Sequence, residues 1–194
     1  MADKEPELYI GLIHYPIYNK KNEKITTTIT NLDLHDISRA ARTYDVEKYY
    51  VVNHLKSQQA LVKRMIQYWT SDYGAKYNPN RQEAFSLLEI ANTLDDVIDR
   101  IKKKSGKKPR LIATDARPYP NTRSYRDVRD MIFSTSAPFL LIFGTGWGLT
   151  EDTIKRCDYM LEPVYGRGSF NHLSVRSAAS IILDRLLSPV WWQK

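Results

Sequence analysis

Short apolar runs alternate with helix-periodic segments along the whole chain, and this alternation limits the possible folds more than any other feature. Six runs read as strands: residues 8–18 (LYIGLIHYPIY), 48–53 (KYYVVN), 85–91 (FSLLEIA), 109–116 (PRLIATDA), 138–144 (PFLLIFG) and 159–164 (YMLEPV). Between them, Ile37, Ala40, Ala41 and Tyr44 recur at i, i+3, i+4 and i+7. Leu94, Val97, Ile98 and Ile101 do the same behind a Thr93 cap with an acid at Asp96. Ser57 is placed to cap a helix whose apolar face is Leu61, Val62, Met65, Ile66 and Trp69. Ser124 with Asp127 opens another helix, and Val175, Ala178, Ala179, Ile182 and Leu186 stripe the last. Parallel strands need a crossover, and the usual crossover is a helix. The expected fold is therefore α/β, a mostly parallel sheet of about six strands with helices on both faces, in a single domain over residues 1–194.

Composition narrows the class. Hydrophobic residues at 42% and charged residues at 26% exclude a disordered chain and a coiled coil. The longest apolar stretches, such as residues 138–143 and 181–183, are far too short to cross a bilayer. Residues 1–7 are charged where a signal peptide would be apolar, so a cytoplasmic protein is expected. A single cysteine, Cys157, excludes an internal disulfide framework and a cysteine-based zinc site, and the four histidines show no ligand spacing, so no metal is expected. The net charge of +7 leans toward a polyanionic partner, because clustered Lys and Arg release counterions condensed on phosphates. The basic run at residues 102–109 reads as a helix end stopped by Gly106, either a solvated turn or an RNA contact.

In open α/β sheets, ligands gather outside the carboxyl ends of the strands. Three loops in such positions carry unusual residues: ATDARPYPNTRS, GTGWGLT and YGRGSFNHLS. In the second loop Gly144, Gly146 and Gly148 fall at alternate positions before a helix start at Thr150, which suits either close backbone approach to a ligand or positive φ. The spacing is neither the GxGxxG of a dinucleotide fold nor the GK[ST] of a phosphate loop, and the first strand runs on without a glycine turn. In the third loop Asn171 or Ser174 is placed to cap the last helix, while Gly166 and Gly168 would let the backbone turn tightly. With Trp147 and Phe170 as flat apolar faces, two adjacent glycine loops describe a pocket for an adenine-containing ligand. The adjacent Trp191 and Trp192 should be buried, either against their own subunit or at a dimer contact.

Three segments together resemble the motifs of the SPOUT superfamily of S-adenosylmethionine-dependent RNA methyltransferases. LHDISRAARTYDVEKYYVVN is similar to the first motif of its ribose-methylating branch through Ile37, Arg39, Ala41, Tyr44 and Val46, departing at Asp33, His35 and Asp45. LLIFGTGWGLT resembles the second motif, with Trp147 near a usual glutamate, and SFNHLSVRSAASIIL the third, through Ser169, Asn171, Ser174 and Val175. The pair Asn171 and His172 also resembles the third motif of the tRNA guanine-N1 branch, so ribose 2′-O and base nitrogen transfer both stay open. The likeness is strongest to a small bacterial stand-alone SPOUT family with an NHLSVRSA segment.

The resemblance implies a C-terminal trefoil knot over roughly residues 109–187, S-adenosylmethionine as cofactor, a homodimer and a structured RNA substrate such as tRNA or rRNA. By position, Ala113 and Thr114 would border the first cofactor loop. Gly144, Thr145, Gly146, Trp147 and Gly148 would form the second, and Leu161, Val164, Gly168, Phe170, Asn171, His172 and Leu173 would belong to the third. Arg39 would be the catalytic arginine, acting electrostatically on the target phosphate or 2′-hydroxyl, since a guanidinium is a poor base at neutral pH. Arg117, Arg123, Arg126 and Arg167 would meet RNA phosphates. A non-catalytic RNA-binding protein that keeps the knot is the alternative, with a Rossmann-type nucleotide enzyme a further one.

Overall fold

A computed structural model describes residues 6–71 and 73–192; residues 1–5, on which the signal-peptide argument partly rests, lie outside the described residues. In chain order the elements are β1 (Leu8–Ile13), β2 (Ile17–Tyr18), β3 (Lys24–Ile25), α1 (Asn31–Thr43), β4 (Lys48–Val52), α2 (Lys56–Thr70), α3 (Tyr73–Tyr77), α4 (Pro79–Phe85) and β5 (Leu88–Ala91). Then follow α5 (Leu94–Ser105), β6 (Arg110–Ala113), β7 (Thr122–Arg123), α6 (Tyr125–Ser134), β8 (Phe139–Gly144), α7 (Glu151–Lys155), β9 (Tyr159–Leu161) and α8 (Val175–Leu187). Seven strands form one sheet in the order β5-β4-β1-β8-β6-β9-β7, and every neighbouring pair is parallel.

Alternation along the central strands supplies two cores, because successive side chains point to opposite faces. Leu8, Ile10 and Leu12 of β1 join Phe139, Leu141 and Phe143 of β8 under α1, α2, α6 and α8. Tyr9 and Ile13 join Leu140 and Ile142 under α5 and α7. Strands buried on both sides read as continuous apolar runs, which is why the sequence marks them so clearly.

Several expectations hold at the level of single atoms. Thr93 with Asp96 and Ser124 with Asp127 form capping boxes at α5 and α6, and Gly106 ends α5 at φ +77°. Others are corrected. The run at residues 8–18 is two strands, since Pro16 cannot donate to a ladder and the chain turns away there. The sheet has seven strands rather than about six, because Thr122 and Arg123 add a short edge beside β9. Phe85 ends α4 instead of opening a strand. Ser57 is not a cap: α2 begins at Lys56 after Leu55 and has no side-chain cap.

A small hairpin that the apolar pattern does not mark, β2 with β3, leaves the main sheet and lies against the loop after β8. It decides the shape of the site.

Candidate functional site

The loops after β1, β3, β6, β8 and β9, with the start of α8, enclose a cavity of about 870 Å³ at the carboxyl end of the sheet. Its walls fall into two groups. One is built by the loops after β6, β8 and β9: Thr114 to Arg117, Gly144 to Gly148, Glu162 to Val164 and Asn171 to Leu173. The other is built by His14, Thr27, Thr28 and Asp33, with Val175, Ala178 and Ile182 of α8. A pocket of this size, mostly apolar with a few convergent polar groups, suits a small organic ligand.

The glycine loop is held from outside by the hairpin. Tyr18 N donates to Gly148 O at 3.0 Å, Trp147 N donates to Tyr18 O at 3.0 Å, and Gly148 N closes a turn on Thr145 O at 3.1 Å. Gly146 and Gly148 take φ +59° and +106°, and a Cβ on Gly146 would lie 2.7 Å from Ile17 Cδ1. Both are thus required by backbone geometry and, at Gly146, by close approach of β2. Gly166 and Gly168 differ: neither takes positive φ, and a Cβ on Gly168 meets nothing within 4 Å. The chain bends at residues 167–169 with neither glycine at positive φ, so the bend there does not demand glycine.

Polar contacts order the walls. Asn171 Nδ2 donates to Ala116 O at 2.8 Å, tying the third loop to the first, while Ser174 rather than Asn171 caps α8 by accepting from Ser177 N. Asp115 holds Arg117 through two N–H groups at 3.1 Å and accepts from Tyr119 OH at 3.0 Å. The Asp115 hydrogen bond and charge raise the Arg117 pKa, and burial is the first cause that raises that of Tyr119. Thr30 caps α1 by accepting from Asp33 N and donates its hydroxyl to Asp33 Oδ2, while Asp33 Oδ1 meets Arg176 Nη1 at 3.3 Å, so this departure from the first motif is a buried, charge-paired aspartate. On the β1 side, His14 Nδ1 and Thr27 Oγ1 are 2.9 Å apart, Thr27 Oγ1 and Thr145 Oγ1 are 2.6 Å apart, and Thr145 Oγ1 donates to Ile13 O at 2.9 Å. Burial pushes the His14 pKa down from 6.5 to about 4, only partly opposed by Asp33, so the ring is neutral at physiological pH.

With this geometry in place, comparison with known proteins decides the family. A family described as "SAM-dependent RNA methyltransferase" matches residues 7–188. The chain belongs to that family. It is 48% identical over 181 residues to an uncharacterised protein of Aquifex aeolicus, covering 93% of this chain and 88% of that protein. It is 39% identical over 180 residues to a tRNA (guanine-N(1)-)-methyltransferase of Oleidesulfovibrio alaskensis, covering 93% of this chain but spanning only 42% of that protein's length. Among solved structures, the SpoU methyltransferase AviRb from Streptomyces viridochromogenes, in complex with AdoMet, shares the fold with TM-score 0.61 at 18% identity, over 98% of this chain and 60% of that one. The TrmH/SpoU tRNA modifying enzyme of Aquifex aeolicus does so with TM-score 0.57 at 15% identity, over 95% and 76%. The fold is that of the SpoU, or SPOUT, methyltransferases, and S-adenosylmethionine is the methyl donor of the family.

Within this methyltransferase, the residues singled out in the sequence divide by position. Thr114, Gly144, Thr145, Gly146, Trp147, Gly148, Val164, Asn171, His172 and Leu173 line the cavity together, as does Arg117. Ala113 and Leu161 are core residues at strand ends beneath it, and Gly168 and Phe170 lie outside its lining, Phe170 being 77% exposed. Arg39 is absent from this cavity and lines a separate polar hollow of about 400 Å³ with Asp36, Ser174, Arg176, Ser177 and Ser180; the two share Ser174. Arg123 lies over the Tyr159 ring, Arg126 over the Trp192 ring, and Arg167 is exposed. Trp192 packs half-buried on its own subunit with Nε1 donating to Arg185 O, whereas Trp191 stays 62% exposed. Among the described residues no group of three or more His, Cys, Asp or Glu could hold a metal, and no helix is long and apolar enough to cross a membrane.

Sequence reasoning missed His14 and Thr27. Both sit in segments that read as apolar or featureless, yet they line the cavity beside the glycine loop, Thr27 touching Thr145.

Proposed function

We propose that the cavity binds S-adenosylmethionine through the loops after β6, β8 and β9 and presents its methyl group to a nucleotide of tRNA. The observation that carries this is the convergence of those three loops on one cavity at the carboxyl ends of β6, β8 and β9. Methyl transfer from a sulfonium needs an in-line nucleophile, so the chain's main contribution is to hold two reactants in register. Thr114, Gly144 to Gly148, Val164 and Asn171 to Leu173 are the donor-binding residues in this reading. Trp147, 60% exposed at the cavity, offers an apolar face for the adenine.

Arg39, beside the hollow that shares Ser174 with the cavity, is assigned to a phosphate of the target nucleotide. Arg117, Arg123, Arg126 and Arg167 are assigned to phosphates further along the RNA, and the net charge of +7 suits them to it. That tRNA methyltransferases carry a segment like this chain supports tRNA over rRNA.

Three further features belong to the same reading. Residues 109–187 are threaded as a trefoil knot within the single domain, supported by the order in which β8 enters between β1 and β6 before α8 returns to pack on α1. The working form is a cytoplasmic homodimer; the dimer is supported by Tyr165 and Phe170, left exposed on the third loop outside the cavity lining, where a second copy would cover them. Mass spectrometry of nucleosides from tRNA of a strain lacking the gene tests the reaction. Loss of one methylated nucleoside is expected and names the atom; an unchanged methylation profile removes the tRNA assignment.

A further inference from the structure

His14 is 1% exposed and lines the cavity, and its Nε2 is buried with no hydrogen-bond partner in the protein. An orphaned buried polar atom costs about 1–3 kcal/mol, so such atoms call for a partner. The rest of the residue is satisfied: its backbone N donates to Val52 O at 2.9 Å, and its O accepts from Thr27 N at 3.0 Å.

The hydroxyl chain behind the ring fixes which nitrogen carries the proton. Ile13 O can only accept, so the single hydroxyl hydrogen of Thr145 is committed to it. Thr27 must then donate to Thr145, which leaves Thr27 Oγ1 as the acceptor for His14 Nδ1–H. Nε2 is thereby an acceptor with a free lone pair. A phosphate or carboxylate, being itself an acceptor, gains nothing there. The burial that pushes the ring's own protonation down also disfavours an ammonium ion beside it, with Asp33 the acidic group that opposes this. What remains is a neutral N–H or O–H.

We propose that His14 Nε2 is a specificity-determining acceptor that takes a hydrogen bond from a neutral donor group of a nucleoside held in the cavity. The donor is an exocyclic amine, a ring N–H or a ribose hydroxyl, and both the adenosine of the methyl donor and the target nucleotide offer such groups. This rests on the methyl-donor reading of the cavity and adds to it a residue on the β1 wall, joined to the loop after β8 through Thr27 and Thr145.

The test is a long-range ¹H–¹⁵N correlation spectrum of histidine-labelled protein, with the His14 signals assigned by their loss in His14→Asn. The free protein at neutral pH should show the Nδ1–H tautomer. If the methyl donor supplies the hydrogen bond, Nε2 shifts on addition of S-adenosylhomocysteine alone; if the target nucleotide supplies it, the shift needs unfractionated tRNA as well. His14→Asn keeps a donor toward Thr27 but removes Nε2, and should weaken the same arm about tenfold. A proton on Nε2 in the free protein overturns the inference. So does a still Nε2 while S-adenosylhomocysteine shifts Trp147 and tRNA binds, and that outcome leaves the methyl-donor reading intact. If neither ligand binds, the methyl-donor reading itself falls and takes the inference with it.

Discussion

Replacing Gly146 with alanine should damage the protein more than its small size suggests. The residue holds φ +59°, where an L side chain costs about 1–2 kcal/mol. The added Cβ would also stand 2.7 Å from Ile17 Cδ1 and 3.1 Å from Tyr18 O. The isoleucine end can rotate away, but the carbonyl cannot move freely, because it accepts from Trp147 N. Forcing a methyl into such a site costs about 1–3 kcal/mol. Together the loss is about 2–5 kcal/mol, which for a chain of this length lowers Tm by about 4–20 °C. If β2 lifts off instead, the cost is paid locally and appears as weaker binding of S-adenosylhomocysteine. The assay is therefore thermal unfolding and calorimetric titration on the same sample. Gly168→Ala is the matched control, with ordinary φ and nothing within 4 Å of the new Cβ, and should leave both readouts at wild-type values. A Gly146→Ala protein with unchanged Tm and unchanged affinity would refute the claim that the hairpin sets this loop's shape.

Other outcomes follow from single contacts. Because the folded pKa of His14 is about 4 against 6.5 when unfolded, the unfolded chain binds the extra proton first. Its contribution is intact above pH 6.5 and is lost as pH falls toward 4, about 3 kcal/mol in all; urea unfolding of wild type against His14→Asn should show the steeper acid loss in wild type. Ser174→Ala should cost about 1 kcal/mol through the lost cap of α8, while Ser57→Ala, which removes no cap, should be near neutral in the same denaturation series. Asn171→Ala removes the 2.8 Å tie between the first and third loops and should weaken S-adenosylhomocysteine several-fold in calorimetry with little change in Tm.

The central strands and the loops after them were legible because a parallel sheet buried on both sides writes itself as unbroken apolar runs, and its ligands sit at the strands' carboxyl ends. The hairpin was not. Its strands are two residues each, too short for any period, although Pro16 inside the first run and Asn22, which takes φ +59° at the turn, were available signals. Helix α4 was likewise announced by Asn78, whose side chain accepts from Arg81 N, and by Pro79 at its first turn. Within the site, composition could not separate two loops that looked alike. Gly146 and Gly148 are demanded by backbone geometry, whereas Gly168 stands in open space. His14 read as one more residue of an apolar run, and only the fold shows that Thr27 and Thr145 complete its hydrogen bonding on one side and leave Nε2 free on the other.

Hydrogen–deuterium exchange with and without S-adenosylhomocysteine tests the central claim most directly. The account predicts protection concentrated in residues 114–117, 144–148 and 162–173, the loops after β6, β8 and β9 that wall the cavity. No binding at high micromolar ligand, or protection confined to the hollow around Arg39, Arg176 and Ser180, would contradict it.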